Sequence, residues 1–474
     1  MNFIKVTAFA TLASIFCANI AFAQDPDADT GPPEFAEPLD DYELMMIEFQ
    51  RYKELLSADS LDEAENSAKR IIEMAIRETG PTSNDTGKAL INLAVVQHKT
   101  QEFETAEQNF EAAIEIFEDN ENQLSDMLIN PLLGLGAAQA GSGKLGLASR
   151  TLERAVHISH VNEGPHNLDQ IDILEMLAET NLRMGETEDA KNNQDMIYAL
   201  NVRHFENNST EMIPALFRRA EWQHRTGYIR DQRATYRRII RIIEKTAGKD
   251  DITLIQPLLK LGHSYFSVDN SQSATYQNLT ASTGEIYLKR AVRIAKENPD
   301  SDWQLLSEAK LAIGDYYIFS SEQSRARKAY FEAWNILSAE EDRLAERHAE
   351  LEQIMPLTSD PIPKFVGKAT RADRQMQNSS LREGHIIASY GVSSRGRVID
   401  LKIVETTPAT YDKLRRLVQR RIRSQVFRPR HEDGVAVDTH NLPFSHTFYY
   451  LQEELDELRE EEEAEKAAEK ANTQ

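Results

Sequence analysis

Cysteine is almost missing: Cys17 is the only one in 474 residues. Its position in an amino-terminal leader means that the mature chain is expected to hold no disulfide, no cysteine–metal site and no thiol nucleophile. Beyond the leader no segment offers the ~18 uninterrupted apolar residues that a membrane-spanning helix needs. Catalytic patterns are missing too, with neither a Gly-x-Ser-x-Gly elbow nor a paired-histidine zinc helix present. The stretch "AAQAGSGKLGLAS" departs from a phosphate-binding loop at Ala138 and Leu145 and lies inside a helical hairpin rather than between strand and helix. His157, His160 and His166 lack an acidic third ligand fixed by spacing. The chain is therefore read as a non-enzyme, with no cofactor and no metal. An RNP-like motif, a finger and an aromatic stacking platform are likewise absent, so nucleic acid is not an expected partner.

The leader is what the chain does have at its start. Met1 to Lys5 is short and positive, Val6 to Ile20 is apolar, and Ala21-Phe22-Ala23 is the small-x-small pattern cut by a signal peptidase. Phe16 stands where a lipoprotein signal would place a small residue before its cysteine, which favours ordinary cleavage after Ala23 over a lipid anchor. The expectation is an exported, periplasmic protein. Residues 24–40 (QDPDADTGPPEFAEPLD) are acidic, proline-bearing and without periodicity, a linker.

From Asp41 the sequence repeats. In "ALINLAVVQHKTQEFETAEQNFEAAI" small Ala94 is followed by Ala106, Phe110 and Ala113. Stepping by 42, the first small position recurs as Tyr52, Ala94, Gly136, Ala178, Ala220 and Gly262, and the second as Ala64, Ala106, Ala148, Ala190 and Gln232. A seventh unit carries Gly314 and Ala326, with Gly284 as the preceding second position, displaced by ten through the polar insertion Ser267 to Ser282, which reads as a loop. The pattern resembles tetratricopeptide repeat proteins in a long-period form. It predicts an α-solenoid of about seven helical hairpins over 41–338. In such arrays the first helix of each hairpin lines the inner surface. The inward positions are then Lys88, Asn130, Asp172, Glu179, Glu221, Glu308 and Asp315, with His98, His224 and His263 nearby. The second half of that groove is acidic and suits a basic or extended protein or peptide partner.

Residues 339–364 read as a charged helix and a proline-broken connection, and from 365 the periodicity changes from helical to alternating. Ile386, Ala388, Tyr390 and Val392 alternate along one strand, Ser393-Ser394-Arg395-Gly396 turns, and Ile399, Leu401 and Ile403 alternate along a second. After Pro408 a helix carries Tyr411, Leu414, Leu417, Val418 and Ile422 on one face and Arg415, Arg416, Arg420, Arg421 and Arg423 mostly on the other. An Asp433-Gly434 turn leads to a last strand with Leu442, Phe444, His446, Phe448 and Tyr450 alternating. A small α+β domain of order β-β-α-β over 365–451 is predicted.

Gly384, Val392, Gly396 with Val398, Val404, Pro408, Tyr411-Asp412, Phe427-Arg428-Pro429, Gly434 and Phe448 stand in the order and spacing of the carboxy-terminal domain of TonB-family proteins, which this region resembles over about 70 residues. The resemblance implies a small sheet with a helix against it that engages outer-membrane receptors by pairing with an extended segment. An exposed strand edge has unpaired N–H and C=O groups that a partner strand satisfies. By resemblance the edge strand is Leu442 to Tyr450. The family's energy transducers keep a permanent membrane helix, where this chain has a cleavable leader. The function expected is thus a periplasmic adaptor, with TonB-type energy-coupled outer-membrane transport as the alternative.

From Arg382 to Tyr450 there are 12 basic and 7 acidic residues, a net +5 in a chain of net −23. Its arginine face suits phospholipid headgroups, lipopolysaccharide phosphates or an acidic protein surface. Residues 453–474 carry 10 acidic and 3 basic residues, net −7, and read as an acidic tail from 452 onward able to screen that face.

Overall fold

Helix formation begins where the side chain of Asp40 can end it cleanly. The Asp40 carboxylate accepts from the Glu43 N–H at 2.6 Å and Glu43 reaches back to the Asp40 N–H at 3.2 Å, a capping box. The computed structural model describes residues 40–266, 274–358, 362, 381–409, 412–453, 455–457 and 460. The leader with Cys17, residues 24–39, Tyr411 and most of the acidic tail lie outside the described residues. The chain divides into two compact units at Arg203 and His204.

Four antiparallel pairs make the first unit: α1 (Asp41–Ser57) with α2 (Leu61–Thr79), α3 (Asn84–Lys99) with α4 (Phe103–Asn120), α5 (Ile129–Gly141) with α6 (Leu145–Glu163), and α7 (Ile171–Met184) with α8 (Thr187–His204). The 42-residue step has a steric cause. A Cβ built on Gly136 would lie 2.7 Å from Leu152 of its paired helix α6, and one on Gly134 would lie 2.3 Å from Phe110 of α4 in the preceding pair, so α5 must be bare where a large residue of either neighbour crosses it. Phe110, Phe117, Leu132, Leu152 and Ile158 are buried in one continuous core, each contributing about 1.5–3 kcal/mol. Tyr52, the departure from the small-residue rule, is buried, and its hydroxyl donates to the Asn92 carbonyl at 2.9 Å.

Three further pairs open the second unit: α9 (Met212–Arg225) with α10 (Ile229–Thr246), α11 (Ile255–His263) with α12 (Ala274–Glu297), and α13 (Trp303–Phe319) with α14 (Gln323–Leu337). The expected loop over 267–282 is corrected in its second half, because α12 begins at Ala274. The stretch from Ala274 to Thr283 holds neither glycine nor proline, and serine, threonine and asparagine cost a helix only a few tenths of a kcal/mol each relative to a good former, too little to stop it.

Next come α15 (Leu344–Leu351), the short strand β1 (Met355–Pro356) and a three-stranded antiparallel sheet ordered β3-β2-β7. In it β2 (Leu381–Val392) is central, flanked by β3 (Val398–Thr407) and β7 (Thr439–Leu451). The helix α16 (Asp412–Ser424) lays Leu414, Val418 and Ile422 against Ile386, Ala388, Phe448 and Tyr450. Glycine is required at 384, where a Cβ would meet Phe448 at 2.5 Å. Two small ladders complete this C-terminal module. The strand β4 (Phe427–Arg428) pairs with β1, tying the proline-bearing connection into the module, and β5 (His431–Glu432) pairs with β6 (Val435–Ala436) around Asp433-Gly434, both at positive φ. Leu455, placed with the tail by the sequence reading, is buried in the module's core, so that core extends past residue 451.

Candidate functional site

The second unit contains a cavity of about 400 Å³ formed by α11, α13, α15 and Arg428. Periodicity explains its first wall. Gln256, Leu259, Lys260 and His263 recur along one face of α11, and Leu305, Glu308, Ala312 and Asp315 along one face of α13. Glu346 and Glu350, four apart on α15, close the opposite side. Five carboxylates (Asp302, Glu308, Asp315, Glu346, Glu350) thus face two cations, Lys260 and Arg428.

At one end lies a buried ion pair. Arg428 and Asp315 have side chains only 6% and 1% exposed and meet in a two-pronged contact: Nε to Oδ1 at 2.8 Å and Nη2 to Oδ2 at 2.7 Å. The remaining guanidinium nitrogen donates to the Glu350 carboxylate at 2.5 Å and its carbonyl at 3.0 Å, and the Tyr330 hydroxyl donates to Asp315 at 2.8 Å. Burial alone would pull the arginine's proton affinity down; Asp315 beside it reverses that and raises it. Burial and the Asp315 charge hold the Tyr330 hydroxyl well above its ordinary range. The network fastens the C-terminal module to the last helix pair, and two more contacts support it: Arg397 donates to the Phe319 carbonyl at 3.3 Å, and Gly396 (φ +70°) sits where a Cβ would meet the Ile318 side chain at 2.7 Å.

Away from that pair the acids are less well matched. Glu308, exposed at the mouth, accepts from Gln256 at 2.7 Å, yet burial of its carboxylate, with Glu350 and Glu346 nearby, raises its pKa. Glu346 is raised by burial and by Glu350. His263 stacks on Phe266, its Nε2 is shielded without a hydrogen-bond partner, and burial lowers the ring to about 4.

The residues expected to line one groove are placed unequally. His263, Glu308 and Asp315 share this cavity, but the Asp315 carboxylate is already taken by the chain's own Arg428. Glu221 is exposed on α9, and Asp172 and Glu179 lie half-buried on α7 in the first unit. On α16, Arg416, Arg420 and Arg423 are exposed in one stripe, Arg415 and Arg421 are half-buried, and Arg415 pairs with Asp412 at 2.7 Å. On β7, Phe448 and Tyr450 are buried while Leu442, Phe444 and His446 are half-buried, all on the face toward the module's core. Lys144, in the loop-like glycine stretch, is held by Glu107 at 2.8 Å, and His160 by Gln170 at 2.6 Å. Among the described residues no cluster of three or more His, Cys, Asp or Glu is arranged to hold a metal, and no helix is long and apolar enough to cross a membrane. Sequence reasoning missed Arg428, Glu346 and Glu350; the available signal was that Arg428 lies between Phe427 and Pro429, off the face that carries the other arginines.

Residues 55–119 match the tetratricopeptide repeat family model. That stretch runs from the end of α1 through α2 and α3 to the last residues of α4. No curated protein matches this chain. Among solved structures, a Podosopora anserina protein of nearly identical TPR-like repeats is similar at 12% identity and TM-score 0.39, over 43% of this chain and 97% of its own. The quorum sensor NprR of B. thuringiensis is similar at 10% identity and TM-score 0.37, over 66% and 87%. Aspartyl phosphate phosphatase F from Bacillus subtilis follows at 12% and 0.34, over 64% and 85%. Likenesses at these TM-scores say nothing of this chain's function.

Proposed function

We propose that this protein is an exported, periplasmic interaction protein, a binder rather than an enzyme, whose helix-pair array holds a partner while the C-terminal module captures an extended segment by strand addition at β7. The carrying observation is that β7, among the described residues, pairs with β2 on one side only. Pro443 tells which way its amides point. It sits in β7 opposite Ser389 and has no N–H, a position tolerated where the N–H would face the open edge. The register runs without a break from Leu442 to Leu451, so Ser445 and Thr447, two and four residues on, turn their N–H groups the same way. A partner strand would bond to these, while the inward side chains of Phe444, Phe448 and Tyr450 hold the module together.

The resemblance to TonB carboxy-terminal domains supports the same reading and names outer-membrane receptors as the partner class. Ser445→Pro and Thr447→Pro remove edge donors without touching the β2 ladder. With circular dichroism showing a folded module, both variants are expected to lose capture of extended peptides from a periplasmic extract. Unchanged capture would count against strand addition. Energy-coupled transport is the second reading, favoured by that resemblance alone; unchanged siderophore uptake in a deletion strain lacking other TonB homologues would sink it.

A further inference from the structure

We infer that the cavity between α11, α13 and α15 binds a cationic side chain, a guanidinium or ammonium group on an aliphatic stem, carried by the partner of the array. This rests on reading the array as a partner holder and is independent of strand capture at β7.

Three observations converge. The volume of about 400 Å³ is at the lower end of small-ligand sites and holds one long side chain with its backbone. The walls are of two kinds: Leu259, Leu305 and Leu311 give an apolar strip, and Glu308, Glu346 and Glu350 a carboxylate rim, the division that a lysine or arginine carries along its own length. The chain shows what this wall accepts, because its own Arg428 fills one end in the planar two-pronged geometry that matches guanidinium to carboxylate. A metal ion is a poor candidate, since no group of three ligating side chains is arranged for one among the described residues.

Arg428 neutralises Asp315 and shares Glu350, so the charge left over belongs to Asp302, which caps α13, and to Glu308 and Glu346, with Lys260 as the other lining cation. A second guanidinium or ammonium placed between α13 and α15 would relieve their mutual repulsion. It would leave the structural pair intact.

The probe is Nα-acetylarginine amide, one residue long and unable to pair as a strand, titrated by NMR or calorimetry into the full mature chain beside the nearly isosteric, uncharged Nα-acetylcitrulline amide. Saturable one-site binding, at least tenfold tighter for the arginine probe, is expected. It should fall at least tenfold in Glu308→Gln and Glu346→Gln and stay unchanged in Glu78→Gln, an exposed acid of the first unit that controls for the general attraction of a polyanion. Equal binding of both probes, equal weakening by Glu78→Gln, or no saturable binding overturns the inference. An intact strand-capture assay beside such a failure would leave the β7 reading standing.

Discussion

Glycine against a large residue closes joints in both units, Gly136 against Leu152 in the first and Gly262 against Leu288 in the second, but the last helix pair adds tyrosine, arginine and carboxylate to it. In the first unit, Gly134 and Gly136 meet Phe110 and Leu152, and the ion pairs Arg70–Glu48 and Lys144–Glu107 leave their cations 44% and 41% exposed. In the second, Gly314 meets Tyr330, Arg233 lies 4.0 Å from the ring centre of Tyr265, and the Arg428–Asp315 pair is buried on both sides. The same glycine-to-large-residue crossing is thus left apolar at Gly136 and set beside a buried charge at Gly314. Buried ion pairs seldom add net stability over well-packed apolar groups, so the second unit's polar joint is better understood as fixing one arrangement of module on array beside an acidic cavity.

The sharpest way to break the comparison is to remove a cation from each unit. Arg428→Ala strands a buried Asp315 and should cost about 3–5 kcal/mol, seen as a lower midpoint for the second unit in denaturation followed by hydrogen exchange. Lys144→Ala should cost less than about 1 kcal/mol. Equal losses would mean that the two kinds of joint are energetically alike. The double variant Arg428→Met with Asp315→Leu should regain much of the loss, since both charges leave together.

Acid sharpens the contrast next. His98 in the first unit and His263 and His431 in the second are each lowered to about 4, burial being the main cause. A folded value below the unfolded one means that the unfolded chain binds more protons between pH 6.5 and 4, so stability present above pH 6.5 is lost as pH falls through that window, by up to about 3 kcal/mol per histidine. The second unit, with two such histidines, is expected to lose more. Glu308 and Glu346, raised in the fold, act with the opposite sign by favouring protonation of the folded state, so Glu308→Gln with Glu346→Gln should steepen the second unit's acid loss.

Alanine at matched glycines gives a smaller effect. A Cβ at Gly136 would press on the ends of Leu152 at 2.7 Å, and one at Gly314 on the ring of Tyr330 at 2.6 Å. Overpacking costs about 1–3 kcal/mol, of which alanine's helix propensity returns up to about 1. Leu152 can change rotamer, while Tyr330 cannot swing aside without taking its hydroxyl off Asp315. Thermal melts should therefore show Gly314→Ala as the costlier variant.

The pairs were legible because a bare helix face opposite a large residue is a local constraint that recurs at a fixed step, and the strands of the module because burial on one face forces alternation. His263, Glu308 and Asp315 were legible as inner-face residues of their helices for the same reason. What could not be read was what they face. Arg428 and Asp315 are 113 residues apart, and nothing along the chain couples two positions at that separation. Arg428 also stood in a run of arginines whose other members belong to a largely solvated helix face, so its burial had no signature in composition. The helical start of α12 was hidden because polar residues mark a loop only when something in the backbone ends the helix.

Tyr52 tests whether the first unit is as apolar as its joints indicate. It occupies a position filled elsewhere by alanine or glycine, and its hydroxyl donates to the Asn92 carbonyl of the next pair at 2.9 Å. Asn92 lies in the middle of α3, where its carbonyl also has the ordinary acceptor role toward the amide four residues on. Tyr52→Phe therefore leaves no buried acceptor bare, and the expected cost is about 1 kcal/mol or less, the net worth of one hydrogen bond. A drop in midpoint no larger than that, confined to α1–α4 by hydrogen exchange, is the outcome consistent with apolar packing there. A loss approaching that of Arg428→Ala would show that the first unit too hangs on a buried polar contact, and the contrast between the two halves would fail.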